Sequence, residues 1–325
     1  MKISEVGERG LIELISRTAG MKQPRDDCAF VPRGKDYLLY TTDQVSYSSN
    51  LPAEAKPEMI GSFLSAINLS DIAAMAGNPE GFLASLSVPE DLEDSFIESF
   101  YRGIRKTLSR FDTELLGGDT KESTEFLASG FAAGVQRKTR VRLRKYARKG
   151  QILCVTNSLG RSAAGYVFYR SGYRKSSGIR MMLDIVPRVK EAITLSELGA
   201  KFMMDLSDGL FSAIAQMKDD YGIGFKIVEH DIPLHESVEK ASRISGASPT
   251  EIGAAFGGDY ELLFSIDNSA FAEFRKNVEG AGLNVSYVGE LWDGSSIIFD
   301  GEQWVAIQAK GYEHFRPVPG LGRIT

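Results

Sequence analysis

Apolar and polar positions follow two rhythms along this chain, one helical and one of period two. Among residues 4–19, Leu11, Ile12, Leu14 and Ile15 recur between charged neighbours, which predicts a short amphipathic helix. Residues 20–27 read as a polar loop that delivers Asp26-Asp27 to a strand over 28–32. The run Tyr37-Leu38-Leu39-Tyr40-Thr41-Thr42 predicts a second strand, ending at Asp43. A turn-rich stretch follows over 44–52, and a largely apolar helix is expected over 57–75. Residues 82–88 alternate with period two and predict a strand. Residues 90–111 place Phe96, Phe100, Ile104 and Leu108 at helical spacing, with Tyr101 beside that stripe. Further strands are expected over 114–118 and 126–135.

The run Arg137-Lys138-Thr139-Arg140-Val141-Arg142-Leu143-Arg144-Lys145 alternates charged and apolar residues. It predicts a strand with a basic face and marks a domain boundary. Residues 151–156 then form an apolar strand leading into a small-residue turn at 157–165, which opens a helix. Residues 193–204 read as helix and then strand, and 210–221 as a helix starting at Asp208-Gly209. After that come a turn and strand over 256–264, a helix over 271–281 and a strand over 285–289. Strands adjacent in sequence are mixed with helices. The expected class is therefore α+β, an α/β two-domain chain with residues 1–137 in one domain and 138–325 in the other.

The bulk composition narrows the function. Hydrophobic residues make up 43% and charged residues 25%, which is ordinary for a globular protein and leaves room for a sizeable core. A net charge of −5 argues against a nucleic-acid binder, because no dominant basic field exists. The only cysteines are Cys28 and Cys154, and the histidines are His230, His235 and His314. A structural zinc site is excluded, a disulfide framework is not expected, and no Ser-His arrangement is visible. No signal-like segment and no membrane-length apolar run appear, so a cytoplasmic location is expected.

The chemistry concentrates in aspartates. Asp26, Asp27, Asp43, Asp71, Asp119, Asp205 and Asp208 each stand beside Gly, Ser, Thr or apolar residues rather than in solvated charge runs. Such a set suits a hard, oxygen-ligated cation such as Mg²⁺, although single examples are equally turn chemistry. For Asp71, within Asn68-Leu69-Ser70-Asp71-Ile72-Ala73-Ala74-Met75, a helix-cap role near a helix start is the competing reading. Several Mg²⁺ ions imply phosphoryl transfer, in which positioning and charge neutralisation dominate. Arg144 is then a candidate for the transferred phosphate, and Tyr101 for covering an adenine. No GxxxxGK[ST] motif is present, so a P-loop enzyme is excluded.

Taken in order, Arg25-Asp26-Asp27, Thr41-Thr42-Asp43, residues 68–75, Gly117-Gly118-Asp119-Thr120, Asp205-Leu206-Ser207-Asp208-Gly209-Leu210 and residues 257–264 resemble the thiamine-monophosphate kinase family. Its superfamily includes aminoimidazole ribonucleotide synthetase. The resemblance covers nearly the whole chain. It implies an N-terminal mixed-sheet domain that pairs in a homodimer, a C-terminal α/β domain, and ATP with Mg²⁺ between them. The implied reaction is phosphorylation of thiamine monophosphate to thiamine diphosphate by direct in-line transfer.

By the same resemblance, Asp27, Asp43, Asp71, Asp119, Asp205 and Asp208 are expected metal ligands. Asp119, Asp208 and Arg144 are expected to carry the transfer step. Thr41, Thr42, Tyr101, Gly118, Arg144 and Ser207 are expected nucleotide contacts, and Asn50, Asp259 and Tyr312 substrate contacts. Two departures fall on the acceptor side. Asn50 stands where the family places a loop histidine, and Gly258 where it places an acid. Two alternatives stay open: a related kinase or synthetase using another small acceptor, and a nucleotide-binding protein without turnover.

Overall fold

The computed structural model describes residues 2–307. Helix α1 (Ile3–Ala19) leads into an N-terminal unit built of β1 (Ala29–Arg33), β2 (Asp36–Ser46), α2 (Pro57–Ala74), β3 (Asn78–Val88), α3 (Asp94–Leu108), β4 (Leu115–Glu122) and β5 (Leu127–Arg137). The strands form one five-stranded sheet in the order β1-β2-β5-β3-β4. All neighbours are antiparallel except β3 and β4, which run parallel because α3 connects them. Strand β5 alternates buried and half-buried residues along its length, the signature of a sheet with one covered face. Helix α2 supplies that cover.

Helix α2 is buried nearly all round, from Ile60 through Ala74. Such a helix needs apolar partners on every side. It packs on β2, β3 and β5, against α3, and against parts of the second unit. The crossing of α2 and α3 is close because both helices carry glycine there. A Cβ on Gly61 would lie 1.9 Å from the Phe100 carbonyl oxygen, and one on Gly103 would lie 2.0 Å from that of Glu58.

The C-terminal unit holds β6 (Gln151–Thr156), α4 (Arg161–Ser171), α5 (Lys175–Leu183), α6 (Val189–Glu197), β7 (Met203–Asp205), α7 (Leu210–Tyr221), β8 (Gly224–Val228), α8 (Val238–Ser245), β9 (Leu262–Asp267), α9 (Phe271–Gly280), β10 (Val285–Trp292), β11 (Ile297–Phe299) and β12 (Trp304–Ala306). Its seven-stranded sheet runs β12-β11-β8-β10-β6-β9-β7, with the short β7 at the edge facing α2. Both sheets mix strand directions and carry helices, as the α+β expectation required.

The basic run departs from its expected strand. Residues 138–143 are turn and extended chain, and Arg144–Tyr146 is a single 3₁₀ turn. Val141 and Leu143 are fully buried, so the alternation is real, but no strand among the described residues lies alongside to complete a ladder. The segment crosses between the units instead, and its cations find separate partners. Arg140 pairs with Glu197, Arg142 donates to the Ser196 carbonyl, and Arg144 turns inward. The helix expected over 90–111 is shorter, starting at Asp94 after Pro89 and ending in a 3₁₀ turn at Ser109–Phe111.

Candidate active site

Asp71 lies in the last turn of α2, not at a helix start, so the cap reading falls. Its carboxylate meets the negative end of the helix dipole and gains nothing from it. It is held by Thr41 of β2, whose hydroxyl donates to Asp71 Oδ2. One turn earlier, Asn68 fixes the neighbouring strand: its Oδ1 accepts from the Asp43 N–H at 3.1 Å while its Nδ2 donates to the Leu64 carbonyl. Ser70 reaches the other unit, donating to Asp205 Oδ2 at 2.6 Å. The buried α2 therefore binds β2 on one side and β7 on the other, and the acids come together along it.

Oxygens of Asp27, Asp71 and Asp205 all lie within 4.8 Å of one another. Asp43 acts electrostatically on Asp71 and Asp205, and also on Asp208. Arg144 enters this set directly. Arg144 grips Asp27 through Nε at 3.1 Å and Nη2 at 2.7 Å, and its backbone N–H meets Asp26 Oδ2 at 3.2 Å. Its Nη1 donates to Gln216 Oε1 at 3.1 Å. Asp26, which the residue-type argument grouped with the ligands, is thus a brace for the Arg144 turn.

Burial dominates the electrostatics. It raises the carboxyls of Asp205 and Asp26 to about 8, with Asp27 adding repulsion in both cases. Asp208 rises to about 7 and Asp43 to about 6, again chiefly through burial. Asp71 is pushed well above the carboxylate range by burial, then by Asp43, Asp205 and Asp27. Among the described residues these carboxylates outnumber the guanidiniums that act on them, Arg144 and, at Asp208, Arg9, and the negative charge left over is tolerated by buried groups only with cations or protons. The donors are all oxygens, converging from both units, which is what a hard divalent cation such as Mg²⁺ requires.

The other expected residues divide by position. Thr42 donates to the Gly130 carbonyl at 2.8 Å and shares a 270 Å³ hollow with Gly118, Leu83, Ser85, Ser129, Gly130 and Phe131. Register puts Asp119 in the row of Ser85, Ser129 and Gln44, in the exposed strand β4, so it faces away from Asp43 and Asp71. The single chain does not bring Asp119 to the acid centre. Tyr101 lines a groove of about 700 Å³ with Arg102 and Arg105. Ser207 lies between Asp205 and Asp208, its carbonyl accepting from the Gly258 N–H. Asn50 is engaged by its own turn, accepting from the Ser46 N–H at 3.1 Å. Asp259 accepts the N–H groups of Gly160 and Ser162 and so caps α4. Tyr312 lies outside the described residues.

Residues 25–136 match the description "AIR synthase related protein, N-terminal domain", and residues 148–301 its C-terminal counterpart. The chain belongs to the AIR synthase related protein family. The thiamine-monophosphate kinase of Aquifex aeolicus (strain VF5) is 29% identical over 319 residues, covering 97% of this chain and 100% of its own. That of Pyrococcus abyssi (strain GE5 / Orsay) is 28% identical over 291 residues, covering 89% of each chain. A solved structure described as AaThiL complexed with AMPPCP and TMP superposes with a TM-score of 0.86 at 29% identity, covering 97% of this chain and 99% of its own.

Within this AIR synthase related chain, a second polar knot escaped the sequence reading. Glu261 is buried and accepts from Thr156 Oγ1 at 2.6 Å, Asn157 Nδ2 at 2.9 Å and the Arg188 guanidinium at 2.9 and 2.5 Å. The partners are 73 to 105 positions away in sequence, so no local spacing announces them.

Proposed function

We propose that this chain is an ATP-dependent kinase that phosphorylates thiamine monophosphate to thiamine diphosphate by direct in-line transfer. The observation that carries the reading is the meeting of Asp27, Asp71 and Asp205 at the junction of the two units. Relatives named thiamine-monophosphate kinase match 89% and 97% of the chain, which supports the substrate assignment. Asp27, Asp43, Asp71, Asp205 and Asp208 would hold Mg²⁺; when bound, the cations neutralise phosphate charge and orient the reacting oxygens. Asp119, which the register of β4 turns away from this set within the single chain, is left out of it.

The chain's own groups then have separable tasks. Arg144 orients Asp27 and offsets its charge, and two of its five N–H groups stay available for the transferred phosphate. Thr41 fixes the Asp71 carboxylate, and Ser70 fixes that of Asp205. Thr42, Gly118, Ser207 and Tyr101 are proposed nucleotide contacts, with Thr41 beside them. The nucleophile is the acceptor's own phosphate oxygen, ionised at neutral pH, so no side-chain base is demanded. Burial between the units excludes water and strengthens each electrostatic contact.

One observation favours a second reading, a kinase of the same family acting on another small acceptor. Asn50 and Asp259, two of the three expected acceptor contacts, are both engaged by backbone groups of the chain, Asn50 within its own turn and Asp259 at the start of α4. Incubation with ATP, Mg²⁺ and thiamine monophosphate, followed by product identification, separates the two. Thiamine diphosphate and ADP are expected. ATP consumption only with a different acceptor establishes the second reading, and tight ATP binding with no turnover overturns both.

A further inference from the structure

Tyr260 has a backbone conformation that its ring does not favour. Its φ is +53°, in the left-handed region, which a bulky aromatic adopts only under strain. Such strain persists only where neighbours over-determine it, and the neighbours here are many. The Gly258 N–H meets the Ser207 carbonyl at 2.6 Å, and the Tyr260 N–H meets that of Leu206 at 3.3 Å. The Leu206 N–H returns to the Glu261 carbonyl at 2.8 Å. The approach is so tight that a Cβ on Gly257 would lie 2.0 Å from Ser207 O. Asp259 on one side is fixed to α4, and Glu261 on the other is locked by Arg188, Thr156 and Asn157. Residues 257–261 are thus zipped to the very turn that carries Asp205 and Asp208.

This scaffold aims one side chain. The Tyr260 ring sits edge-on to Phe63 of α2, with centroids 6.1 Å apart. The charged groups acting on its hydroxyl are Asp43, Asp205, Asp208 and Asp71. The hydroxyl makes no hydrogen bond among the described residues. Phenylalanine would pack against Phe63 equally well, so the oxygen at the edge of the acid centre calls for another explanation. A phenol there is a neutral donor that can meet an anion without adding to the local charge.

We propose that Tyr260 is a catalytic residue whose hydroxyl donates to a phosphate oxygen drawn to the acid centre, with the Arg188–Glu261 pair holding it there. The assignment rests on the phosphoryl-transfer reading above. Carboxylates alone repel phosphate, and cations reverse that; a neutral donor beside them selects where the phosphate oxygen comes to rest. A hydrogen bond to a charged acceptor is stronger than one between neutral groups.

The test is Y260F, measured by kcat and KM for each substrate and by melting temperature with and without Mg²⁺-ATP. The apo melting temperature should match wild type, because the hydroxyl bonds nothing there. The Mg²⁺-ATP shift should shrink, and kcat should fall about tenfold or more, the scale of a lost hydrogen bond to a charged group. Wild-type kcat with a wild-type ligand shift overturns the proposal. So does an apo protein destabilised or unfolded by the change, which marks a packing role. If wild type does not turn over thiamine monophosphate yet Y260F still loses ligand stabilisation, the kinase reading fails and the Tyr260 contact stands.

Discussion

Buried carboxyls give the site its pH dependence. Asp205 and Asp26 hold their protons to about 8 in the folded chain, Asp208 to about 7 and Asp43 to about 6, against 3.8 for an ordinary aspartate. The folded state therefore binds more protons than the unfolded chain between these limits, and stability falls as pH rises. The penalty is absent below the ordinary carboxyl value and complete above the folded one. Metal-free protein should unfold at lower denaturant at pH 8 than at pH 6, and D205N should flatten that slope. Apo stability that climbs between pH 6 and 8 would show that these acids are not desolvated together. The aspartates themselves were legible because carboxylates beside glycine, serine and apolar residues have no solvated run to explain them. Tyr260, Glu261 and Arg188 were not, because what singles them out is a left-handed φ and an ion pair 73 residues apart.

At the scale of elements, strand and helix periodicity placed most of the N-terminal unit to within a few residues. The failures have local causes. The alternation at 137–145 matched a strand, yet a ladder also needs a neighbour, and the domain crossing provides none. The strand ending at Asp43 continues to Ser46, because β5 pairs with it through Leu127. Strand β4 carries a second consequence. It is an edge strand exposed along its whole length, with Leu116 at 64% and Leu83 of the adjacent β3 at 38% exposure. Unpaired edges and exposed apolar residues invite a partner. We propose a second copy of this chain, which would also cover the hollow lined by Thr42 and Gly118. Light scattering at micromolar concentration should give twice the chain mass, and L116E should return it to the monomer value. A wild-type monomer would remove the dimer from the account.

The whole molecule is arranged so that neither unit owns the acid centre. Asp27, Asp43 and Asp71 come from the first, Asp205 and Asp208 from the second, and α2 joins them through Ser70. Ion pairs of Arg9 and Arg25 with Asp219 and Asp220 tie the N-terminal segment to α7 and fix the same junction. Apposing like charges costs folding free energy, a cost tolerated where function uses it. The most direct measurement is therefore the melting of wild type and D71N, each with and without Mg²⁺-ATP. Without ligand, D71N should be as stable as wild type or more so, since a repelled carboxylate is removed. With ligand at a hundredfold excess over Kd, wild type should gain about 2.7 kcal/mol and D71N much less, with most activity lost. A D71N protein that is less stable without ligand, yet keeps its ligand stabilisation and its activity, would contradict the account.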